Sequence, residues 1–340
     1  MKSIVNIKSV DKALRIMSKG KNSPIPMFDN ITSQDGVITM HSNDGEIRLQ
    51  LPVDFGVPFT IDKSSMLDII SVFGDNINAS MVSEDKVQFA HGKESVKLAV
   101  LSDEVPLTKV PTDATRSLTI TGDDIASMKI ASQFVSSDAL RPALMDVWIH
   151  SNCVASTDTH RLFWRNTINA TTDEFNIKDQ VIQLLDLFHE PWDVYLTDTA
   201  VYFTNGQGIT ISQKRQDAKY VNWLAVIPEK QDTVLKLTKC ELVSAIKKGG
   251  KFANQKARMV IFDMEKKTFR FEDQDLGREY NAEALSMQVT GECFTIAFNY
   301  NLLVELVKHM GDVLTFTLST PNRAAVINSE CLIMPVMIKD

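Results

Sequence analysis

The sequence contains few cysteines and no paired cysteine motif. Its four cysteines, Cys153, Cys240, Cys293 and Cys331, lie far apart, and none of them belongs to a CxxC pair. This spacing argues against a zinc site and against a disulfide framework, and it is typical of proteins from a reducing, intracellular compartment. We therefore expect a cytoplasmic protein that binds no metal.

Long apolar segments are also missing. No window approaches the roughly 18 consecutive apolar residues of a membrane span, and the N-terminal residues lack the apolar core and the small-residue cleavage site of a secretion signal. We expect neither export nor a membrane partner.

Catalytic motifs are absent as well. The run STDTHRLFW at residues 156–164 places Asp158, His160 and Arg161 beside large apolar side chains. Asp158 and His160 could orient one another with Cys153 as a nucleophile, but no nucleophile motif and no second acid–base cluster accompany them. The histidines show no metal-ligand spacing, and neither GKNSP nor GGKFAN has the full spacing of a phosphate loop. We predict that the protein is not an enzyme and uses no cofactor.

Positive charge is concentrated in two segments of an acidic chain. The formal net charge is -7, which by itself argues against a protein coated with cations for nucleic acid. Yet the segment from Lys8 to Lys21 holds several basic residues and one acid, Asp11, and the segment from Lys236 to Arg258 has the same bias. The remainder of the chain is distinctly acidic.

The chain repeats one supersecondary unit. Most segments alternate like short strands, with β-branched and aromatic residues between Gly, Asn or Asp. Six segments with helical spacing interrupt them, beginning near Val10, Ser64, Gly122, Asp179, Lys239 and Asn299, roughly 54 to 60 residues apart. Such recurrence is typical of internal repeats. We predict an α+β protein of three domains, each with two helices on antiparallel sheets, at residues 1–114, 115–231 and 232–340.

Two of these helices present cations on one face. At about 100° per residue, Lys8, Lys12, Arg15 and Lys19 form one stripe of the first helix, opposite an apolar stripe. In the fifth helix Lys247, Lys248 and Lys251 lie away from the apolar face. Ordinary solvated faces would look the same in either helix alone. Two such faces in an acidic protein argue against that interpretation.

Several longer motifs resemble a known family. The stretch LRPALMDVWIHSNCVASTDTHRLFW, the later KYVNWLAVIP and the near-terminal CLIMPVMI are similar to the bacterial DNA polymerase III β subunit, the sliding clamp. The resemblance spans all three predicted domains. It implies two subunits joined head to tail in a closed homodimeric ring, whose helices line a central hole for double-stranded DNA.

The resemblance also implies a function and partners. A sliding clamp is a processivity factor that encircles duplex DNA without sequence preference and tethers the replicative polymerase, the clamp loader and other proteins carrying clamp-binding peptides. By carry-over, Lys21, Asn22 and Arg141 match positions near the DNA path. The alternative is a clamp-like docking scaffold that does not load onto DNA.

The family binds partner peptides in a hydrophobic cleft, and the matching positions can be carried over one by one. We expect the cleft to be formed by Leu144, Thr157, Thr159, His160, Arg161, Leu162, Val221, Val226, Leu332, Met334, Pro335, Val336 and Met337. Met and Leu suit varied apolar anchors, and the polar groups would orient the peptide, with His160 and Arg161 orienting and Leu162 anchoring.

This chain departs from the family pattern inside the expected cleft. Thr159 stands where the family usually has Gly, so we expect the turn to adopt a positive φ less freely. Val221 replaces a usual Pro, and Met337 replaces a usual Arg. These departures predict a different choice of partners.

Two further interpretations concern packing. For the subunit contact we expect Val105 and Leu107 of one chain to face Phe252 and Asn254 of the other. The segment QLLDLF at residues 183–188 looks like a peptide that clamp partners carry. Its leucines and Phe188 nevertheless have the spacing of a buried helix face, which favours a place in the core.

Overall fold

The structure is a computed structural model that describes residues 5–20, 24–166, 171, 173–188 and 191–338. Within these ranges the chain forms six α-helices, at the positions where the sequence predicts them. They are α1 (Ile7–Met17), α2 (Lys63–Phe73), α3 (Gly122–Ala131), α4 (Asp179–Phe188), α5 (Lys239–Gly249) and α6 (Tyr300–Val307).

Short strands make up most of the remaining regular structure. The first twelve are β1 (Asn30–Gln34), β2 (Val37–His41), β3 (Ile47–Leu51), β4 (Phe59–Asp62), β5 (Asn78–Ser83), β6 (Lys86–His91), β7 (Glu94–Ala99), β8 (Thr115–Ile120), β9 (Val147–His150), β10 (Cys153–Thr157), β11 (Arg161–Asn166) and β12 (Glu174–Ile177). The others are β13 (Trp192–Leu196), β14 (Ala200–Thr204), β15 (Thr210–Lys214), β16 (Thr233–Thr238), β17 (Met259–Asp263), β18 (Thr268–Asp273), β19 (Arg278–Glu283), β20 (Gln288–Thr290), β21 (Thr295–Asn299), β22 (Val313–Leu318), β23 (Ala325–Ile327) and β24 (Cys331–Ile333). The predicted α+β class is confirmed.

Helix starts follow ordinary capping chemistry. The Asn6 side chain accepts a hydrogen bond from the Ser9 amide at 2.8 Å, and the Asp62 side chain accepts one from the Ser65 amide at 2.8 Å. In α3 the Thr121 amide donates to the Asp124 carboxylate at 2.9 Å, which completes a capping box. These caps satisfy amide groups that the helix itself leaves unpaired.

The chain divides into two compact units. The first comprises Met1–Ser132, Asp146–Val154 and Asn166–Ala218, and the second comprises Gln133–Met145, Ala155–Arg165 and Lys219–Asp340. The first unit contains strands from both of the first two predicted domains, because β3 and β15 pair across the boundary between them. The three domain ranges therefore stay a prediction.

In the first unit, eight antiparallel strands form one sheet in the order β4-β1-β2-β3-β15-β14-β13-β8. A second sheet has the order β5-β6-β7, and β12 pairs with β9. Helices α1 and α4 of this unit contact one another. The Gln180 side chain of α4 donates a hydrogen bond to the Ile16 carbonyl of α1 at 2.9 Å. A cluster of Phe55, Phe59 and Phe89 fills part of the core.

In the second unit, four strands pair in the order β19-β18-β17-β21, and six others in the order β11-β24-β23-β22-β16-β20. The core contains Phe262, Phe298 and Phe316, whose rings contact one another edge-on or tilted. α5 lies against β18 because Gly249 has no side chain: a Cβ there would lie 2.2 Å from the Phe271 ring.

Candidate functional site

The loop between β10 and β11 is a tight turn held by its own side chains. The Thr157 hydroxyl donates to the Arg161 carbonyl at 2.6 Å. The Asp158 carboxylate accepts from the amides of His160 at 2.9 Å and of Arg161 at 2.7 Å. Asp in this position commonly bonds to backbone amides two and three residues later. The loop therefore has one preferred shape before any ligand is considered.

Thr159 has a positive φ of 76° at the tip of this loop. Threonine adopts this conformation here, although it does so less freely than glycine would. A β-branched residue with φ above zero is a strained outlier. The hydrogen bonds of the Thr157 hydroxyl and the Asp158 carboxylate hold Thr159 in this conformation. The Thr159 amide itself donates to the Thr157 hydroxyl at 3.1 Å.

Replacing Thr159 with glycine should stabilise the protein. Glycine removes a strain of about 1 to 3 kcal/mol but adds unfolded-state entropy worth roughly 0.4 to 1 kcal/mol. We expect a net gain of about 1 kcal/mol, measured as a higher denaturant midpoint at unchanged slope. Thr159→Ala keeps the Cβ and is the matched control, which should gain less. A lower midpoint for the glycine variant would show that the turn is not strained.

Arg161 is buried and fully engaged in holding the protein together. Its side chain is 7% exposed and lies 2.8 Å from the Asp158 carboxylate and 3.0 Å from that of Glu305. The guanidinium also lies over the Phe134 ring, 5.1 Å from its centre. Most of its donors therefore have protein partners, and the role of Arg161 in orienting a bound peptide stays a prediction. His160, in contrast, is exposed.

An open groove lies within the second unit, on the side of Met334 that faces the turn Trp223–Val226. Its volume is about 730 Å³. Three exposed apolar side chains contribute to its lining: Leu224 at 55%, Val226 at 53% and Met334 at 42% exposure. Polar and charged residues complete it, namely Glu229, Lys230, Ser319, Thr320, Asn322 and Arg323. Exposed apolar side chains in a groove with a polar rim are typical of a peptide-binding site.

Several of the predicted cleft residues lie beneath the surface. Leu162 and Leu332 are each 2% exposed and sit opposite one another in the β11–β24 ladder, and Leu144 is 3% exposed. Leu162 is thus buried in the unliganded chain, and its assignment as a peptide anchor stays a prediction. Thr157 is likewise buried, with its hydroxyl used in the loop.

The chain end crosses the second unit after β24. The Met334 amide donates to the His160 carbonyl at 2.9 Å, and the Val336 amide donates to the Ala297 carbonyl at 2.8 Å. Val336 and Met337 line a separate cavity of about 350 Å³, together with Arg270. Pro335, the residue between Met334 and Val336, is half-buried. Among the residues described here, Val336 and Met337 do not line the groove that contains Met334. Val221 is 44% exposed just before the Trp223–Val226 turn.

Sequence reasoning missed Leu224 and Arg323. An apolar residue in the short turn WLAV, between Asn222 and Pro228, was the available signal for Leu224. Arg323 lies in the turn between β22 and β23 and gave no local signal. Trp223 of the same turn is 7% exposed, and its ring centre lies 6.1 Å from that of Trp164.

The cationic stripe of α1 has the predicted arrangement. Lys8, Lys12 and Arg15 are exposed, whereas the apolar residues Val10, Leu14 and Met17 are fully buried. Arg15 forms an ion pair with Asp11 at 2.9 Å, which offsets its charge. Lys19 lies beyond the helix end at Met17 and donates to the Gln183 side chain at 2.5 Å. Lys21 and Asn22 lie outside the described residues.

The cations of the second unit are also exposed. Lys247 and Lys248 occupy the last turn of α5, and Lys251 follows it, since the helix ends at Gly249 rather than continuing. Between α5 and α6 lies a cavity of about 620 Å³ whose rim includes Lys247, Lys251 and Glu305. Arg141 is exposed, with its guanidinium 3.6 Å from Asp138.

The residues predicted for a subunit contact differ in accessibility. Val105 is 2% exposed, and its backbone bonds to the hydroxyls of Thr32 and Thr39. These long-range bonds hold Val105 in the core of the first unit, and its assignment to an interface stays a prediction. Phe252 is 43% exposed and stacks on Tyr280 of β19, with ring centres 5.5 Å apart.

The remaining predicted members of that contact are more accessible than Val105. Leu107 is half-buried in the first unit. Asn254 is half-buried in the second unit and bonds to Asp275 at 3.1 Å.

Residues 5–20, 24–166, 171, 173–188 and 191–338 contain neither a cluster of metal ligands nor a membrane-spanning helix. Those residues contain no group of three His, Cys, Asp or Glu side chains placed to hold a metal ion, and none of their helices is long and apolar enough to cross a membrane. Cys153 is 5% exposed. Burial raises the pKa of the Cys331 thiol, which keeps it protonated.

Comparisons with known proteins agree with this architecture. Residues 224–331 match the family model of the DNA polymerase III beta subunit, C-terminal domain. The beta sliding clamp of Treponema pallidum is 22% identical, and the match covers 97% of this chain and 96% of that protein.

Solved structures show the same fold over nearly the whole chain. The DNA polymerase III beta subunit of Thermotoga maritima has a TM-score of 0.82 at 17% identity, covering 98% of this chain and 99% of that one. The beta subunit of Streptococcus pyogenes gives 0.82 at 19% identity, with the same coverage of both chains.

Proposed function

We propose that this chain, a bacterial-type sliding clamp in its fold and in the sequence of its last third, is a DNA processivity factor. It encircles double-stranded DNA, acts in the cytoplasm and performs no catalysis of its own. The observation that carries the proposal is the match of fold across 98% of the chain, together with the exposed cations of α1 and α5.

The cations explain how such a ring holds DNA without fixing it in place. Lys8, Lys12, Lys247 and Lys248 are exposed on two helices of an otherwise acidic protein. Contacts between lysine and phosphate carry no sequence information. They attract duplex DNA in any register, so the ring stays threaded and remains free to move along the duplex.

The ring consists of two copies of this chain, joined head to tail through sheet edges. β7 is an edge of the sheet β5-β6-β7, and β19 is an edge of the sheet β19-β18-β17-β21. Exposed edges invite pairing with another chain. Pairing β7 of one copy with β19 of the other uses both edges, and it places the exposed Phe252 at the contact. Three domains of residues 1–114, 115–231 and 232–340 per copy fit this ring.

The groove around Leu224, Val226 and Met334 receives partner peptides. A replicative polymerase, a clamp loader and other proteins with clamp-binding peptides would each insert apolar side chains there. Because the ring keeps a bound polymerase near its template, even moderate peptide affinity gives processive synthesis by raising the local concentration.

A topological assay tests the proposal. The protein is loaded onto a singly nicked circular DNA by a bacterial clamp loader with ATP, and half of the sample is then linearised. We expect retention on the circle and loss from the linear DNA, because a closed ring slides off free ends. Capping the linear ends with bound protein should restore retention. Equal retention on circular and uncapped linear DNA would contradict encirclement.

A further inference from the structure

Arg161 has two charged partners, and Glu305 is the one that lies outside the 157–161 loop, on helix α6. The Arg161 guanidinium donates to Glu305 of α6 at 3.0 Å, and its other charged partner, Asp158, belongs to the same loop. Arg161 is 7% exposed, whereas Glu305 is 66% exposed. The pair therefore joins a buried cation in the strained loop to an acid at the surface.

The same loop fixes the position of a groove residue. The His160 carbonyl accepts the Met334 amide at 2.9 Å, directly after the β11–β24 ladder ends at Arg161 and Ile333. Met334 then turns its side chain to the groove beside Val226. This bond couples the orientation of the His160 peptide unit to the position of the Met334 backbone.

The conformation of His160 depends in turn on Arg161 and Asp158. Asp158 accepts the amides of both His160 and Arg161, and it keeps Thr159 at a φ of 76°. Strained residues persist only where their surroundings over-determine them. The Arg161 guanidinium orients the Asp158 carboxylate, and Glu305 together with the Phe134 ring orients the guanidinium.

We propose that Glu305 is a positioning residue of the peptide groove, acting through Arg161 and the 157–161 loop to place Met334. Glu305 does not line the groove and touches no peptide. Glu305 holds the loop through its ion pair with Arg161, so peptide affinity depends on a carboxylate of α6. This inference rests on the peptide groove of the proposed function.

The test measures binding of a fluorescein-labelled hexapeptide, QLLDLF, by fluorescence anisotropy. We expect Glu305→Gln to raise the Kd about three- to tenfold at low salt, since the amide loses the charge that holds Arg161. The difference should shrink at high salt, because the exposed side of the pair is screened. Glu265→Gln removes an exposed acid elsewhere in the second unit and should leave the Kd unchanged.

A double-mutant cycle separates positioning from a general structural effect. If Glu305 acts through Met334, adding Glu305→Gln to Met334→Ala should change the Kd less than twofold beyond Met334→Ala alone. Additive effects would overturn the proposal. So would a change below threefold for Glu305→Gln, or a lowered denaturation midpoint that accounts for lost binding.

The failure of the proposed function is distinguishable from that of the inference. If the native protein binds the hexapeptide no better than a scrambled peptide, the groove is not a peptide-binding site, and the inference fails together with the proposed function. A native protein that binds well, with Glu305→Gln behaving identically, would overturn the inference alone.

Discussion

Changing Lys8, Lys12, Lys247 and Lys248 to glutamine is expected to lower affinity for duplex DNA by at least about a hundredfold at low salt. Each lysine that contacts a phosphate releases about one counterion, so the slope of log K against log salt should fall by roughly 3 to 4. Arg15 is left in place because its pairing with Asp11 already offsets its charge. The measurement is a salt titration with a labelled duplex.

The matched control removes the same charge from other surfaces. Lys86, Lys93, Lys266 and Lys267 are exposed on the described surface and lie in or beside strand turns, outside the helices α1 and α5. Their change to glutamine should leave the salt slope close to that of the native protein. Peptide binding should persist in both variants, which confirms that they fold. If both variants lose affinity equally, the α1 and α5 faces have no special role, and the docking scaffold that does not load onto DNA becomes the better description.

Truncating Leu162 to alanine should lower the free energy of unfolding by about 2 to 5 kcal/mol, as expected for a buried leucine that leaves a cavity. The side chain is 2% exposed and packs in the β11–β24 ladder. Denaturant unfolding at a fixed protein concentration measures this as a lower midpoint. The loss should occur whether or not a peptide is present.

Met334→Ala is the informative companion, because it affects the groove and not the core. Met334 is 42% exposed, so its truncation should leave the unfolding midpoint nearly unchanged. We expect the free energy of peptide binding to weaken by about 1 to 2 kcal/mol, as for an apolar interface anchor. If Leu162→Ala weakened the peptide without destabilising the protein, Leu162 would be an anchor after all.

Local periodicity explains what the sequence could predict. The opposite faces of α1 follow from residues within three turns of one another, and the structure has Val10 and Leu14 buried with Lys8 and Lys12 exposed. Helix positions could likewise be predicted from spacing and capping residues. The charge pattern does not locate the C-terminal ends of α1 and α5, since Lys19 and Lys251 continue it beyond the last helical residue.

Contacts between distant parts of the chain explain what the sequence could not predict. The partner of Arg161 is Glu305, 144 positions later in the sequence, and no local pattern links the two. The backbone of Val105 bonds to the distant Thr32 and Thr39, which no local pattern around Val105 indicates. Thr159 adopts its φ because neighbouring side chains impose it, although its own preference opposes that conformation.

The Trp223–Val226 turn joins an aromatic pair to the groove. Leu224 and Val226 line the groove, while the indole of Trp223 lies inward near that of Trp164. Two other tryptophans, Trp148 and Trp192, are 7% and 0% exposed. We therefore expect intrinsic tryptophan fluorescence to report on a ligand in the groove, through the Trp164–Trp223 pair beside it.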